Sequence, residues 1–152
     1  MSGEMSKRVT AGLALAAAVV LVRPAAAAEW AAVSEGTLSP HYASCVVEAG
    51  GVDAAMLACV TDEFERQGVR LDAAMDAALA SFGPEAMAAR AALEQAEIAW
   101  INYRARTCAF ASALAAPGTR GVVAQFECMV ELTAERAAWL LANVVDRNAA
   151  AP

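Results

Sequence analysis

From Tyr42 onward, apolar residues recur at three- and four-residue spacing, and no run of alternating β-branched residues interrupts them. That pattern predicts helices, and turn residues divide them. Tyr42 to Gly50 reads as a short helix ended by Gly50-Gly51, and Asp53 caps a second short one running through Cys59. Thr61 or Asp62 then opens a longer helix to about Ser81, weakened at Gly68. Gly83-Pro84 ends it, with Pro84 suited to the first position of the next, Glu85 to Leu114. Pro117-Gly118-Thr119 breaks that helix, and Val122 to about Arg147 forms the last. The expected fold class is all-α, a small antiparallel bundle of two short and three longer helices.

The N-terminus carries a different pattern. Lys7 and Arg8 precede an uncharged stretch of 14 residues from Val9 to Val22, Arg23-Pro24 ends it, and Ala26-Ala27-Ala28 leads into Glu29. This is the layout of a cleavable signal peptide, with the cut after Ala28. The stretch falls short of the roughly 20 residues that span a bilayer. The first cysteine is Cys45, so no lipid-acceptor cysteine adjoins the cut. The expectation is residues 1–28 as signal and 29–152 as a single exported domain, periplasmic or secreted, with no stable membrane anchor.

Cleavage changes the charge. Removing Lys7, Arg8, Arg23 and Glu4 leaves eight basic residues, all arginine, and sixteen acidic ones, a net of −8. Nucleic acid is thereby disfavoured as a partner, because its non-specific affinity comes from cations on phosphate. Basic proteins are favoured through steering. Much of the apolar content is alanine, which buries little area, so crosslinks matter more than composition suggests.

Four cysteines in an exported chain read as two disulfides. In a helical hairpin, residues equidistant from the turn lie level. Cys108 and Cys128 each stand ten residues from Gly118, and Cys45 and Cys59 each stand seven from Val52. This symmetry favours Cys45–Cys59 and Cys108–Cys128, while the crossed pairings remain open. The same symmetry sets Arg104 level with Leu132, in reach of Glu131 or Glu135, and sets Trp100 level with Arg136 for a cation–π contact.

Catalytic signals are missing. No Cys-x-x-Cys, Cys-x-x-Cys-His, Glu-x-x-His or glycine-rich phosphate loop occurs. His41, the single histidine, stands beside Pro40 without an acid cluster near it in sequence, and reads as a surface residue. Asp72 and Asp76 share a helix face, but two carboxylates make a poor cation site. No enzyme activity, metal or cofactor is expected.

The segment Leu93-x-x-Ala96-Glu97-x-x-Trp100-Ile101-x-Tyr103-Arg104-x-x-x-Cys108, followed by Cys128-x-x-x-x-Thr133-x-x-Arg136-x-x-x-Leu140, resembles the lysozyme inhibitor LprI-like (N-terminal domain) family. Cys45, Cys59 and Glu63 resemble that family's first cysteines and the acid after them, so the likeness covers about residues 45–140. The family usually has Gln at the position of Glu97, and Leu-Asn-x-x-Tyr where this chain has Leu71-Asp72-x-x-Met75. The resemblance implies scaffold roles for Trp100, Tyr103, Arg104, Thr133 and Arg136. It also implies a non-catalytic protein that binds a basic lysozyme directly. The alternative from the residues alone is a structural or envelope-associated interaction module with another protein partner.

Overall fold

The computed structural model describes residues 38–150, so the expected signal segment lies outside the described residues. Helix α1 spans Pro40–Ala49. Ser39 caps it by accepting the Tyr42 amide at 3.0 Å, and Pro40 takes the first helical position. Gly50 and Gly51 then reverse the chain at φ of 56° and 80°, a region that favours glycine.

Helix α2 runs unbroken over Asp53–Ser81. The expected division near Thr61 is absent because the Thr61 hydroxyl turns back onto the Leu57 carbonyl, at 2.8 Å, and caps nothing. Asp62 instead pairs with Arg66 one turn on, at 2.7 Å. Helix α3 spans Met87–Leu114, and Ala86 stands at its N-cap. Pro84 lies in the preceding turn and not at the first helical position. Arg90 reaches back from α3 to the Leu79 carbonyl at 2.6 Å, satisfying a terminal acceptor of α2.

Helix α4 covers Thr119–Leu140, starting three residues before the expected Val122. It passes into a π-helical segment, Leu141–Val145, and a one-turn helix α5, Asp146–Ala149. The second short helix expected after Gly51 is therefore not formed, since its residues belong to α2, and the last helix expected to run to about Arg147 is carried past Leu140 by the π-helical segment and α5. Asn148 ties that end to α2 through the Ser81 hydroxyl at 2.8 Å.

Helix α4 is the centre of the domain. Both α2 and α3 pack along it yet scarcely approach each other, and α1 lies on α2. Contacts joining Asp53 to Arg120 at one end and Ser81 to Asn148 at the other show α2 and α4 running parallel, with α3 antiparallel between them in sequence. Alanine makes the close packing feasible. Leu71, Ala74 and Ala78 of α2 meet Ala137 and Leu140 of α4, with Leu93, Trp100, Phe82, Val144 and Val145 around them. A second cluster joins Ala49, Met56, Cys59 and Val123, with Tyr42 and Cys45 beside it.

Both disulfides take the pairing that the hairpin symmetry favoured. Cys45–Cys59 staples α1 to α2, and Cys108–Cys128 staples α3 to α4. At the α3–α4 turn, a Cβ on Gly121 would come within 3.2 Å of the Ser112 and Ala116 carbonyl oxygens, so a glycine permits the approach.

Candidate functional site

Two polar constellations occupy the bundle. The first is centred on Glu63, whose carboxylate is fully enclosed. Four donors converge on it: the Ser39 amide (2.9 Å), the Ser39 hydroxyl (2.5 Å), Arg66 Nε (3.0 Å) and Gln67 Nε2 (2.7 Å). Burial alone pushes the Glu63 carboxyl up, but these hydrogen bonds favour the anion and together hold it below the usual range. Because the Ser39 hydroxyl also caps α1, Glu63 joins the start of α1 to the middle of α2. His41 sits in α1, exposed, with Nε2 3.4 Å from Asp62, so the fold supplies an acid that the linear sequence did not place beside it. Asp72 and Asp76 are exposed on α2. Among the described residues, no group of three His, Cys, Asp or Glu side chains is placed to hold a metal ion.

The second constellation lies between α2, α3 and α4. Aromatic rings and guanidinium groups alternate there. Phe126 meets Phe64 edge-on at 5.7 Å, and Arg104 lies 5.4 Å from the Phe64 centroid and 4.8 Å from that of Trp100. Arg136 follows, 5.8 Å from Trp100 and 5.0 Å from Trp139. The expected Trp100–Arg136 contact is therefore present. Contacts of this kind stabilise by about 0.5–2 kcal/mol each, more where water is excluded.

The expected pairing of Arg104 with Glu131 or Glu135 is not formed. Arg104 Nη1 donates instead to the Thr133 hydroxyl at 2.7 Å, and that hydroxyl donates to the Met129 carbonyl at 2.5 Å. The two acids lie on another side of α4: at about 100° per residue, Glu131 points roughly opposite to Thr133 and Arg136. The α3–α4 ion pair is Arg136–Glu97, at 2.9 Å, with both side chains 13% exposed. Burial pushes the Arg104 guanidinium down, and the more distant Glu97 only partly offsets this.

Of the five motif residues, Trp100, Arg104, Thr133 and Arg136 thus come together, while Tyr103 stands outside at 55% exposure. Phe64 belongs to the stack without an alerting motif in the sequence. Ser39 and Gln67 were equally silent, although the spacing of Glu63, Arg66 and Gln67 on one helical face is a signal for a hub.

The outer surface completes the picture. Glu127, Glu131 and Glu135 form a row along α4 at four-residue spacing. Partial burial, then repulsion from Glu135 and Glu127, raises the Glu131 carboxyl above its ordinary value. Burial, then Glu127, Glu131 and Glu63, likewise raises the Tyr42 phenol. Helix α3 buries only Leu93 and Cys108, and leaves Met87, Ile98, Ile101, Phe110 and Leu114 exposed. No helix among the described residues is long and apolar enough to cross a membrane.

Fold and site together define a disulfide-stapled helical domain with two interior polar constellations, an acidic row along α4 and exposed apolar residues on α3. The chain belongs to the family described as lysozyme inhibitor LprI, whose model matches residues 45–140. No curated protein and no solved structure matches it.

Proposed function

We propose that this domain is exported and inhibits a lysozyme by binding it directly, without catalysis. The family match over residues 45–140 carries this reading. Two disulfides suit an oxidising compartment outside the cytoplasm, in keeping with cleavage after Ala28. The partner's expected basic character fits the acidic balance of the chain. The Glu127–Glu131–Glu135 row is the acidic surface in best position to meet it. Those carboxylates already repel one another, so a partner's arginine or lysine would relieve a strain present in the free protein. Charge of this kind speeds encounter more than it tightens the complex.

The test is a turbidity assay of lysozyme on cell-wall substrate with the oxidised chain, residues 29–152. Inhibition at micromolar protein that weakens with added salt is expected. Full lysozyme activity at micromolar protein, at both low and moderate salt, refutes the reading for that lysozyme. The exposed apolar residues of α3 favour a second reading, an envelope module whose partner covers that helix. Recovery of a single non-lysozyme envelope protein by the oxidised domain, lost on substitution of Ile98 and Ile101 by Ser, would support it.

A further inference from the structure

Helix α3 carries more apolar surface than its packing uses. It lies along α4 and scarcely touches the other helices, so one neighbour covers a helix of 28 residues. Glu97, Arg104 and Cys108 meet α4 through Arg136, Thr133 and Cys128. A second row, Met87, Ala91, Glu94, Ile98, Ile101 and Ala105, runs at alternating four- and three-residue steps. At about 100° per residue this row occupies an arc of about 80°, turned on average about 80° away from the residues that meet α4. All six are exposed, Ile98 by 54% and Ile101 by 46%. Steps of four and three repeated in this way make the heptad seam by which one helix packs on another. No other helix among the described residues packs along α3 to fill it.

The seam is complementary to itself. When a second copy lies antiparallel about a two-fold axis midway between Ile98 and Ile101, residues whose numbers sum to 199 stand level. Each Ile98 then meets the Ile101 of the other copy at the centre. Glu94 stands opposite Ala105, whose small side chain lets the helix axes approach. Gln95 and Asn102, both exposed, sum to 197, so amides and no like charges face each other along the flank. Glu94 and Arg106 sum to 200. Both are exposed, and among the described residues neither makes an ion pair within 4.0 Å. The antiparallel arrangement sets each Glu94 level with an Arg106, giving two opposite-charge pairs related by the two-fold. A parallel arrangement sets Glu94 against Glu94 and Arg106 against Arg106, and like charges brought together oppose it.

We infer that α3 is the face on which two copies of this domain pair, antiparallel and two-fold, through the seam from Met87 to Ala105. That seam is about 27 Å long. One helix face per copy lies at the low end of interface sizes, so the dimer forms and dissociates reversibly. The inference does not rest on lysozyme binding, and it competes with the reading in which an envelope protein covers α3.

The test is sedimentation equilibrium of the oxidised chain, residues 29–152, from micromolar to sub-millimolar protein. A monomer–dimer equilibrium is expected. Ile98→Ser combined with Ile101→Ser is expected to weaken dimerisation at least about tenfold, while the thermal melt by circular dichroism at low concentration stays in place, since both side chains are exposed. Glu94→Arg and Arg106→Glu are each expected to weaken it about threefold, and the two together to restore it to within about twofold of wild type. This exchange breaks no ion pair within the domain, so it reads the register between copies even if the serine variant fails to fold. A chain that stays monomeric throughout overturns the inference, whether or not it captures an envelope protein through Ile98 and Ile101. A dimer unmoved by the folded serine variant, a charge exchange whose effects add and do not compensate, or assembly beyond the dimer overturns it equally.

Discussion

Replacing Glu63 by Gln keeps the shape of the side chain and removes its charge. In the wild type each carboxylate oxygen accepts two hydrogen bonds, Oε1 from the Ser39 amide and Gln67, and Oε2 from the Ser39 hydroxyl and Arg66. Whichever way the new amide is turned, its NH2 faces two donors, and the remaining oxygen accepts as a neutral group. Hydrogen bonds to charged groups contribute about 1.5–3 kcal/mol and neutral ones about 0.5–1.5, and breaking a buried charged pair costs about 3–5 kcal/mol. Arg66 keeps Asp62 as a partner, which favours the lower end, about 3 kcal/mol. For a domain of this size each kcal/mol shifts the midpoint by about 4 °C, so Tm should fall by about 12 °C. The pH dependence separates the charge from the shape. Glu63 is held below its ordinary value of 4.5, so its contribution is complete above that pH and is lost as pH falls through the folded-state value. Thermal denaturation followed by circular dichroism from pH 7 to pH 3 should therefore show the gap between wild type and Glu63→Gln narrowing below about pH 4.5. A fall in Tm under about 3 °C at pH 7, or a gap that stays constant down to pH 3, would refute the hub.

Further outcomes follow from the same contacts. Replacing Cys45 and Cys59 together by Ser opens a loop with a sequence separation of 14, and should cost about 3 kcal/mol in denaturant unfolding. Gly68→Ala should stabilise by about 0.8–1 kcal/mol, since the helix gains propensity and the added methyl meets nothing. Gly121→Ala should destabilise by about 1–3 kcal/mol in the same assay, because its methyl crowds two carbonyl oxygens. Substituting Glu127, Glu131 and Glu135 together by Gln should raise Tm at pH 7, as Glu131 is ionised there against a raised affinity for its proton. If the acidic row meets a basic lysozyme, stopped-flow association should slow about tenfold and lose most of its salt dependence.

The bundle was legible in the sequence where turns and crosslinks are local. Gly50-Gly51 and Pro117-Gly118 fix the two hairpins, and the cysteines stand symmetrically about them. The continuity of α2 was not legible, because Thr61 is a good cap residue in isolation and its hydroxyl has a second use within a helix, the carbonyl one turn back. The start of α3 failed for a related reason: Pro84 fits the first turn of a helix and a preceding loop equally well. Hairpin symmetry set the level of Arg104 correctly and the face wrongly. Thr133 lies next to Leu132 in sequence but a further 100° round the helix, and that rotation decides whether a guanidinium meets a hydroxyl inside or an acid outside. Glu63 was visible only as a residue type, since its most telling partner, Ser39, is 24 positions away.

The electrostatics of α4 are unbalanced in opposite senses on its two sides. One side holds Glu127, Glu131 and Glu135, whose mutual repulsion raises Glu131 and which form no ion pair within 4.0 Å among the described residues. The other meets two arginines with one carboxylate between them. An apolar helix of the same length would pack α2 and α3 with less electrostatic cost, and buried pairs are often replaceable in that way without loss of stability. An Ala-rich domain has little stability to spare, which makes uncompensated charge on both sides of its central helix informative. Stability alone does not account for the acidic row, because neutralising it should raise Tm. The acidic row is a place where the free protein gains by acquiring the opposite charge, a cation along the outer face of α4. Such groups are characteristic of surfaces shaped by binding, where stability is given up at the site and recovered in the complex.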